Sequence, residues 1–143
     1  MVEKLGWQWF AIGSAFFAGL TAILGKKGVA EVNSNLATLI RTTVILGISA
    51  LIVSWRREWE PLSKLSRSGV MWLCLSGATT GLSWLCYFRA LQTGPASQVA
   101  PIDKLSVAFV IVLAWMFLGE PFTWRLCLGG GLVVAGAVIL ATS

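Results

Sequence analysis

Hydrophobic residues run along this chain in five stretches of about twenty, separated by short polar breaks. The stretches cover residues 6–25, 35–55, 69–91, 96–118 and 122–141, and the first keeps its apolar character on toward Val29. A helix of roughly 20 residues, at about 1.5 Å per residue, crosses a hydrocarbon core of about 30 Å. The breaks GKKGVAEVNSN, RREWEPLSKLSRS, QTGP and GEP combine charge with glycine, proline and asparagine, the chemistry of loops. This pattern predicts an all-α membrane protein, a bundle of five transmembrane helices forming one domain over residues 1–143.

Composition agrees. The chain is 57% hydrophobic and 12% charged, about half the charged fraction of a soluble domain. Its 143 residues suffice for one compact bundle and are too few for two domains. The net charge of +5 does not indicate nucleic acid, because the basic residues sit mainly at segment ends and form no stripe with interleaved aromatics. Histidine is absent, which removes the usual general base and the commonest metal ligand. With no metal cluster and no nucleophile–base pair, neither catalysis nor a cofactor is expected. Cys74, Cys86 and Cys127 stand apart in apolar surroundings and read as small buried hydrophobes. The long apolar stretch after Trp7 lacks a small-residue cleavage site, so the N-terminus does not read as a cleavable signal.

An odd number of spans puts the termini on opposite sides. One side carries Lys4, Arg56, Arg57, Lys64, Arg67 and Arg125, and the other carries Lys26, Lys27 and Arg89. The excess of positive charge predicts a plasma (cytoplasmic or inner) membrane protein with its N-terminus in the cytoplasm and its C-terminus outside. Trp7, Trp9, Trp55, Trp59, Trp72, Trp115 and Trp124 fall near the N-terminal side, and only Trp84 sits in mid-span. Small residues recur inside the spans. Gly77 and Gly81 form a GxxxG pair on the third, and Gly129, Gly130, Gly131 and Gly136 line the fifth. In lipid such residues let helix backbones approach closely, so Gly129 and Gly136 are candidates for a dimer interface.

Four charged residues lie within spans: Arg41, Arg89, Asp103 and Lys104. A charge there costs about 2.5–3.5 kcal/mol on insertion scales, so each is expected to have a partner or a task. Lys104 lies roughly 13 Å past Pro95 along a helix, near the midplane, whereas Arg89 is close enough to its helix end to snorkel. Thr38, Arg41, Thr42 and Ser49 share one helical face, and Ser76, Thr80, Ser83 and Tyr87 repeat at the same spacing. Polar stripes of this kind are expected to face the bundle interior or a wet cavity. Asp103 and Lys104, about 100° apart on a helix, are not expected to point the same way. Pro101 removes one backbone hydrogen bond, which predicts an irregular entry over residues 95–101. Two readings stay open. The charges lock the helices together, with Asp103 bridging Arg41 or Arg89, or they contact a solute in a cavity.

Several motifs are familiar. FRAL at 88–91, GPAS at 94–97, PIDKLS at 101–106 and LGE at 118–120 lie in a stretch that resembles the second half of an EamA domain, in the drug/metabolite transporter superfamily. The earlier KKGVAEVNSNLATLIRTTVI resembles the first two helices of short, single-domain members. The resemblance implies a transporter of small solutes whose fold equals one EamA repeat. Longer members hold two such repeats of opposite orientation around a central pathway. A chain with one repeat is then expected to pair with itself or with a sister subunit. Related four-helix small multidrug transporters pair antiparallel with almost no charge bias, whereas the bias here favours one orientation.

The expected function is transport of a small metabolite or drug-like solute by alternating access, as a dimer in the lipid bilayer. The alternative is a non-transporting scaffold or accessory subunit of a larger transporter. Expected substrate-binding residues are Arg41 and Lys104, attracting an anionic or zwitterionic solute, and Asp103, orienting them or carrying a coupling proton. Arg89, Tyr87, Ser83 and Thr38 complete the set.

Overall fold

The computed structural model describes residues 3–142; Met1, Val2 and Ser143, the ends of the expected domain, lie outside the described residues. Among the described residues the long elements are helical: α1 (Glu3–Glu31), α2 (Ser34–Arg56), α3 (Arg67–Thr93), α4 (Ala96–Asp103), α5 (Ser106–Leu113) and α6 (Trp124–Ala141). A 3₁₀ turn at Leu62–Lys64 and a π turn at Ala114–Leu118 complete them. Counting Ala96–Leu118 as one interrupted span, five helices are long and apolar enough to cross a membrane. The all-α, five-helix expectation holds, and the protein is integral to a membrane. α1 runs to Glu31, past its expected end, and both glycines of that end, Gly25 and Gly28, are absorbed into the helix.

Local chemistry explains the ends. The Asn33 side chain accepts a hydrogen bond from the Asn35 N–H at 2.9 Å at the start of α2, and Thr123 Oγ1 accepts from the Leu126 N–H at 3.4 Å at the start of α6. Each satisfies a donor that has no partner within its helix. At the end of α2, Arg57 adopts a left-handed conformation with φ 56°, and its N–H donates back to the Ser54 carbonyl. Arg56 Nε lies 2.7 Å from Glu58 Oε1 just beyond that turn. The π turn closes at Gly119, whose φ of 66° suits a residue without Cβ.

The chain divides into two compact units. The first holds α1 up to Lys26 and everything from Thr93 onward. Within it α6 packs on α4 and α5, and Gly130 and Ala137 are buried at that contact. A Cβ on Gly130 would stand 2.7 Å from Ile111 Cδ1, the end of a side chain that would have to turn aside. Lys26 Nζ donates to the Gly94 carbonyl at 2.8 Å and ties the α1 end to the turn before α4. The second unit spans Lys27 to Gln92. Its buried side chains, Val29, Ser34, Thr38, Phe88 and Leu91, gather at one end, where α1 finishes, α2 begins and α3 finishes. Gln92 Nε2 donates to the Val29 carbonyl at 3.4 Å at that end.

Two expectations about packing are corrected. Cys74, Cys86 and Cys127 are exposed. A small apolar side chain on a membrane helix loses nothing by facing lipid, so burial does not follow from its character. Nothing lies within 4 Å of a Cβ built on Gly77 or Gly81, so this pair brings no second helix of the same chain close and borders open space.

Candidate functional site

Two clusters gather several of the residues singled out from the sequence, one in each unit, and the others stand apart. In the second unit, Trp84 and Phe88 stand one turn apart on α3 and so share a face. Arg41 of α2 reaches across to both. Its guanidinium carbon lies 4.3 Å from the Trp84 ring centroid and 4.7 Å from that of Phe88. Phe88 is itself buried, and Tyr87 meets it edge-on with centroids 6.0 Å apart. A guanidinium over an aromatic face is held by the ring quadrupole, worth about 0.5 kcal/mol when exposed and about 2 kcal/mol when desolvated. Among the described residues no carboxylate lies within 4 Å of Arg41, so the charge is held by rings and not neutralised.

One turn before Arg41, Thr38 is buried and its Oγ1 donates to the Ser34 carbonyl at 2.9 Å. One residue after it, Thr42 Oγ1 donates to the Thr38 carbonyl at 2.8 Å. Thr42 also borders a groove of about 390 Å³ between α2 and α3, walled by Ser76, Gly77, Thr80, Gly81 and Trp84. The Trp84 ring therefore has two tasks, supporting Arg41 and walling the groove. The polar stripes are not enclosed: Thr42, Ser76 and Thr80 are exposed along this groove, and Ser49 and Ser83 are exposed outside its lining. Arg89 sits apart in its own hollow of about 370 Å³ with Asn33, Asn35 and Cys86, where its guanidinium donates to Gln92 Oε1 at 3.2 Å.

In the first unit, Asp103 and Lys104 meet. Lys104 Nζ lies 3.2 Å from Asp103 Oδ2, with both side chains about half exposed. Neighbours in an ideal helix do not face one another. They do here because the helix stops: Lys104 has ψ −8°, and three-residue hydrogen bonds run from the Lys104 and Leu105 N–H groups to the Pro101 and Ile102 carbonyls. The irregularity expected over residues 95–101 thus falls later. Pro101 is accommodated inside α4, and the break comes at Lys104 and Leu105, within the span. Lys104 also edges an apolar hollow of about 420 Å³ between α4 and α6, with Pro101, Leu132, Gly136 and Ala137. Gly136 is half-buried there, and Gly129 is exposed.

Trp84 was not singled out as a site residue from the sequence, and Phe88 only as the first residue of the FRAL motif. The signals were there: the one tryptophan in mid-span, and an aromatic four residues after it.

A profile of the EamA-like transporter family matches residues 5–142. A Sinorhizobium protein described as an uncharacterized transporter in the cobO 3′ region is 48% identical over 94% of this chain and 96% of its own length. A Klebsiella pneumoniae protein described as a probable 4-amino-4-deoxy-L-arabinose-phosphoundecaprenol flippase subunit, ArnE, is 36% identical over 54% of this chain and 70% of its own length. The Bacillus subtilis transporter YvbV is 28% identical over 92% of this chain, which covers 43% of that protein. No solved structure matches the chain.

Proposed function

The chain belongs to the EamA-like transporter family, and on that premise we propose that it moves a small anionic or zwitterionic metabolite across the membrane by alternating access, as a dimer. The observation that carries this reading is Arg41, a cation inside a membrane span, held over two aromatic rings with no carboxylate partner among the described residues. Such a charge is stabilised when an anion arrives, and ring support keeps it in place while the site is empty. Lys104 and Asp103 form a second polar point where α4 ends in mid-span. Broken helices with polar side chains at the break are a recurrent way to build a solute path at membrane depth. In this reading Asp103 orients Lys104 or carries a coupling proton, and in the second unit Thr38, Ser83, Tyr87 and Arg89 join Arg41 in binding the solute.

Pairing is supported by length. YvbV is long enough to hold two units of this size, and the ArnE relatives are described as subunits. The small-residue face of α6, with exposed Gly129 and half-buried Gly136, is the proposed contact, either with a second copy or with a sister subunit. The basic excess on one side supports a cytoplasmic N-terminus and an outward C-terminus in the plasma membrane.

The test is flux from proteoliposomes carrying wild type or Arg41→Gln, Asp103→Asn or Lys104→Ala, loaded with a mixture of carboxylates, sugar phosphates, amino acids and quaternary ammonium compounds. The proposal expects wild type to release acidic or zwitterionic solutes and each variant to slow that release at least tenfold. Unchanged flux in all three variants overturns the site. Loss of stability in the variants with no flux in wild type puts the scaffold reading in its place.

A further inference from the structure

Resting on the transport reading, we propose that the α2–α3 groove selects a polyhydroxylated oxyanion, a sugar acid or sugar phosphate, in which the acid group meets Arg41 and the hydroxyl groups lie along Thr42 and Thr80. Two of the three hydroxyl groups of the wall, those of Thr42 and Thr80, are already committed as donors. Thr42 Oγ1 donates to the Thr38 carbonyl and Thr80 Oγ1 donates to the Ser76 carbonyl, both at 2.8 Å. A threonine hydroxyl has one proton and two lone pairs, so these two oxygens face a ligand as acceptors only. The ligand must therefore bring donors to them. Gly77 and Gly81, with nothing within 4 Å of their missing Cβ positions, leave room for those donors to come close.

Two donor chemistries are available, hydroxyl and ammonium, and the groove distinguishes them. None of the residues lining it is acidic, and the charge beside it is the Arg41 guanidinium, 4.3 Å from the Trp84 ring that forms the wall. An ammonium placed there meets a like charge and no counter-ion, whereas a hydroxyl meets neither penalty. Beside the groove, on the Trp84 ring, the Arg41 guanidinium presents several N–H donors in one plane and fits a carboxylate or phosphate. The Trp84 ring gives the C–H face of a sugar an apolar surface to lie on. Acceptors along the wall, and a cation resting on the Trp84 ring that forms part of it, together describe a hydroxylated acid.

The experiment is thermal unfolding of the purified full chain in detergent with D-gluconate, glucose 6-phosphate, hexanoate, inorganic phosphate and glucosamine. Hexanoate has the chain length of gluconate without its hydroxyl groups, and its partition into detergent only favours it, so the comparison is conservative. Gluconate or glucose 6-phosphate should raise Tm and bind at least about tenfold tighter than hexanoate or phosphate, the loss expected from one or two missing hydrogen bonds. Glucosamine should give no shift.

A lipid-linked source is distinguished by phosphatidylinositol against phosphatidic acid in mixed micelles. A shift only with phosphatidylinositol keeps the polyol anion and makes it a lipid headgroup. Thr42→Val with Thr80→Val, which preserves shape, should erase the preference for gluconate over hexanoate in a protein that still unfolds cooperatively. Equal shifts with the hydroxylated and plain acids, or a larger one with glucosamine, overturn the proposal. Flux separates this from the transport reading: release of other anions without polyol binding removes the substrate class alone, and polyol binding without flux removes transport alone.

Discussion

Removing the Trp84 ring tests whether Arg41 is held as the geometry describes. The guanidinium carbon stands 4.3 Å from the Trp84 centroid and 4.7 Å from that of Phe88, both inside the 6 Å range in which a ring attracts a cation. Arg41 is half-buried, so the contact with Trp84 lies between the exposed and desolvated limits, at about 1 kcal/mol. Trp84→Leu alone removes packing as well as the ring and costs more than this. The contact is isolated by a double-mutant cycle with Arg41→Met, which keeps the aliphatic stem and removes the charge. Reversible unfolding in mixed micelles should give a coupling of about 1 kcal/mol, and Trp84→Phe, with a weaker quadrupole, should retain about half of it. Additive effects within about 0.3 kcal/mol would show that the cation does not rest on the ring. The cation beside the groove would then have no fixed seat.

Further outcomes follow from other positions. Gly130→Ala should change stability by less than about 1 kcal/mol, because the turning aside of the Ile111 terminus offsets the gain in helix propensity, and Ile111→Val, which removes the atom that a Cβ would meet at 2.7 Å, should make the same alanine stabilising. Gly129→Ala, with open space beside it, should be neutral or stabilising in the same unfolding assay unless it sits in a dimer contact, in which case size-exclusion with light scattering will show the loss of dimer. Thr123→Ala should cost about 1 kcal/mol by stripping the α6 cap. Asp103→Asn breaks a half-exposed pair, so stability should change by less than about 1 kcal/mol while solute flux falls, a separation that a purely structural pair does not produce.

The five helices were legible because apolar runs of about 20 residues are a property of composition and length, and the chain carries little else. Arg41, Asp103 and Lys104 were legible as exceptions, since a charge within a span is conspicuous by its cost. What they touch was not. The Asp103–Lys104 contact depends on the helix ending at Lys104, and ideal helical angles argue against it. The place of the break was misread because Pro101 signals disruption of its own turn, whereas here the turn that follows is the one that tightens. Trp84 stood out in mid-span but gave no sign of a role, because an apolar ring in an apolar span looks like packing until the cation across from it is placed. The exposure of the cysteines was equally hidden, since hydropathy separates membrane from water and does not separate lipid-facing from buried sides.

The most direct test of the central claim uses the wild-type protein alone. Liposomes loaded with equal amounts of gluconate, glucose 6-phosphate, lysine and a quaternary ammonium compound are compared with and without the reconstituted chain, and the initial loss of each solute is followed. A positively poised site predicts protein-dependent loss of the two acids, with the two cationic solutes retained as in protein-free vesicles. Loss of the cations while the acids remain inside would contradict it.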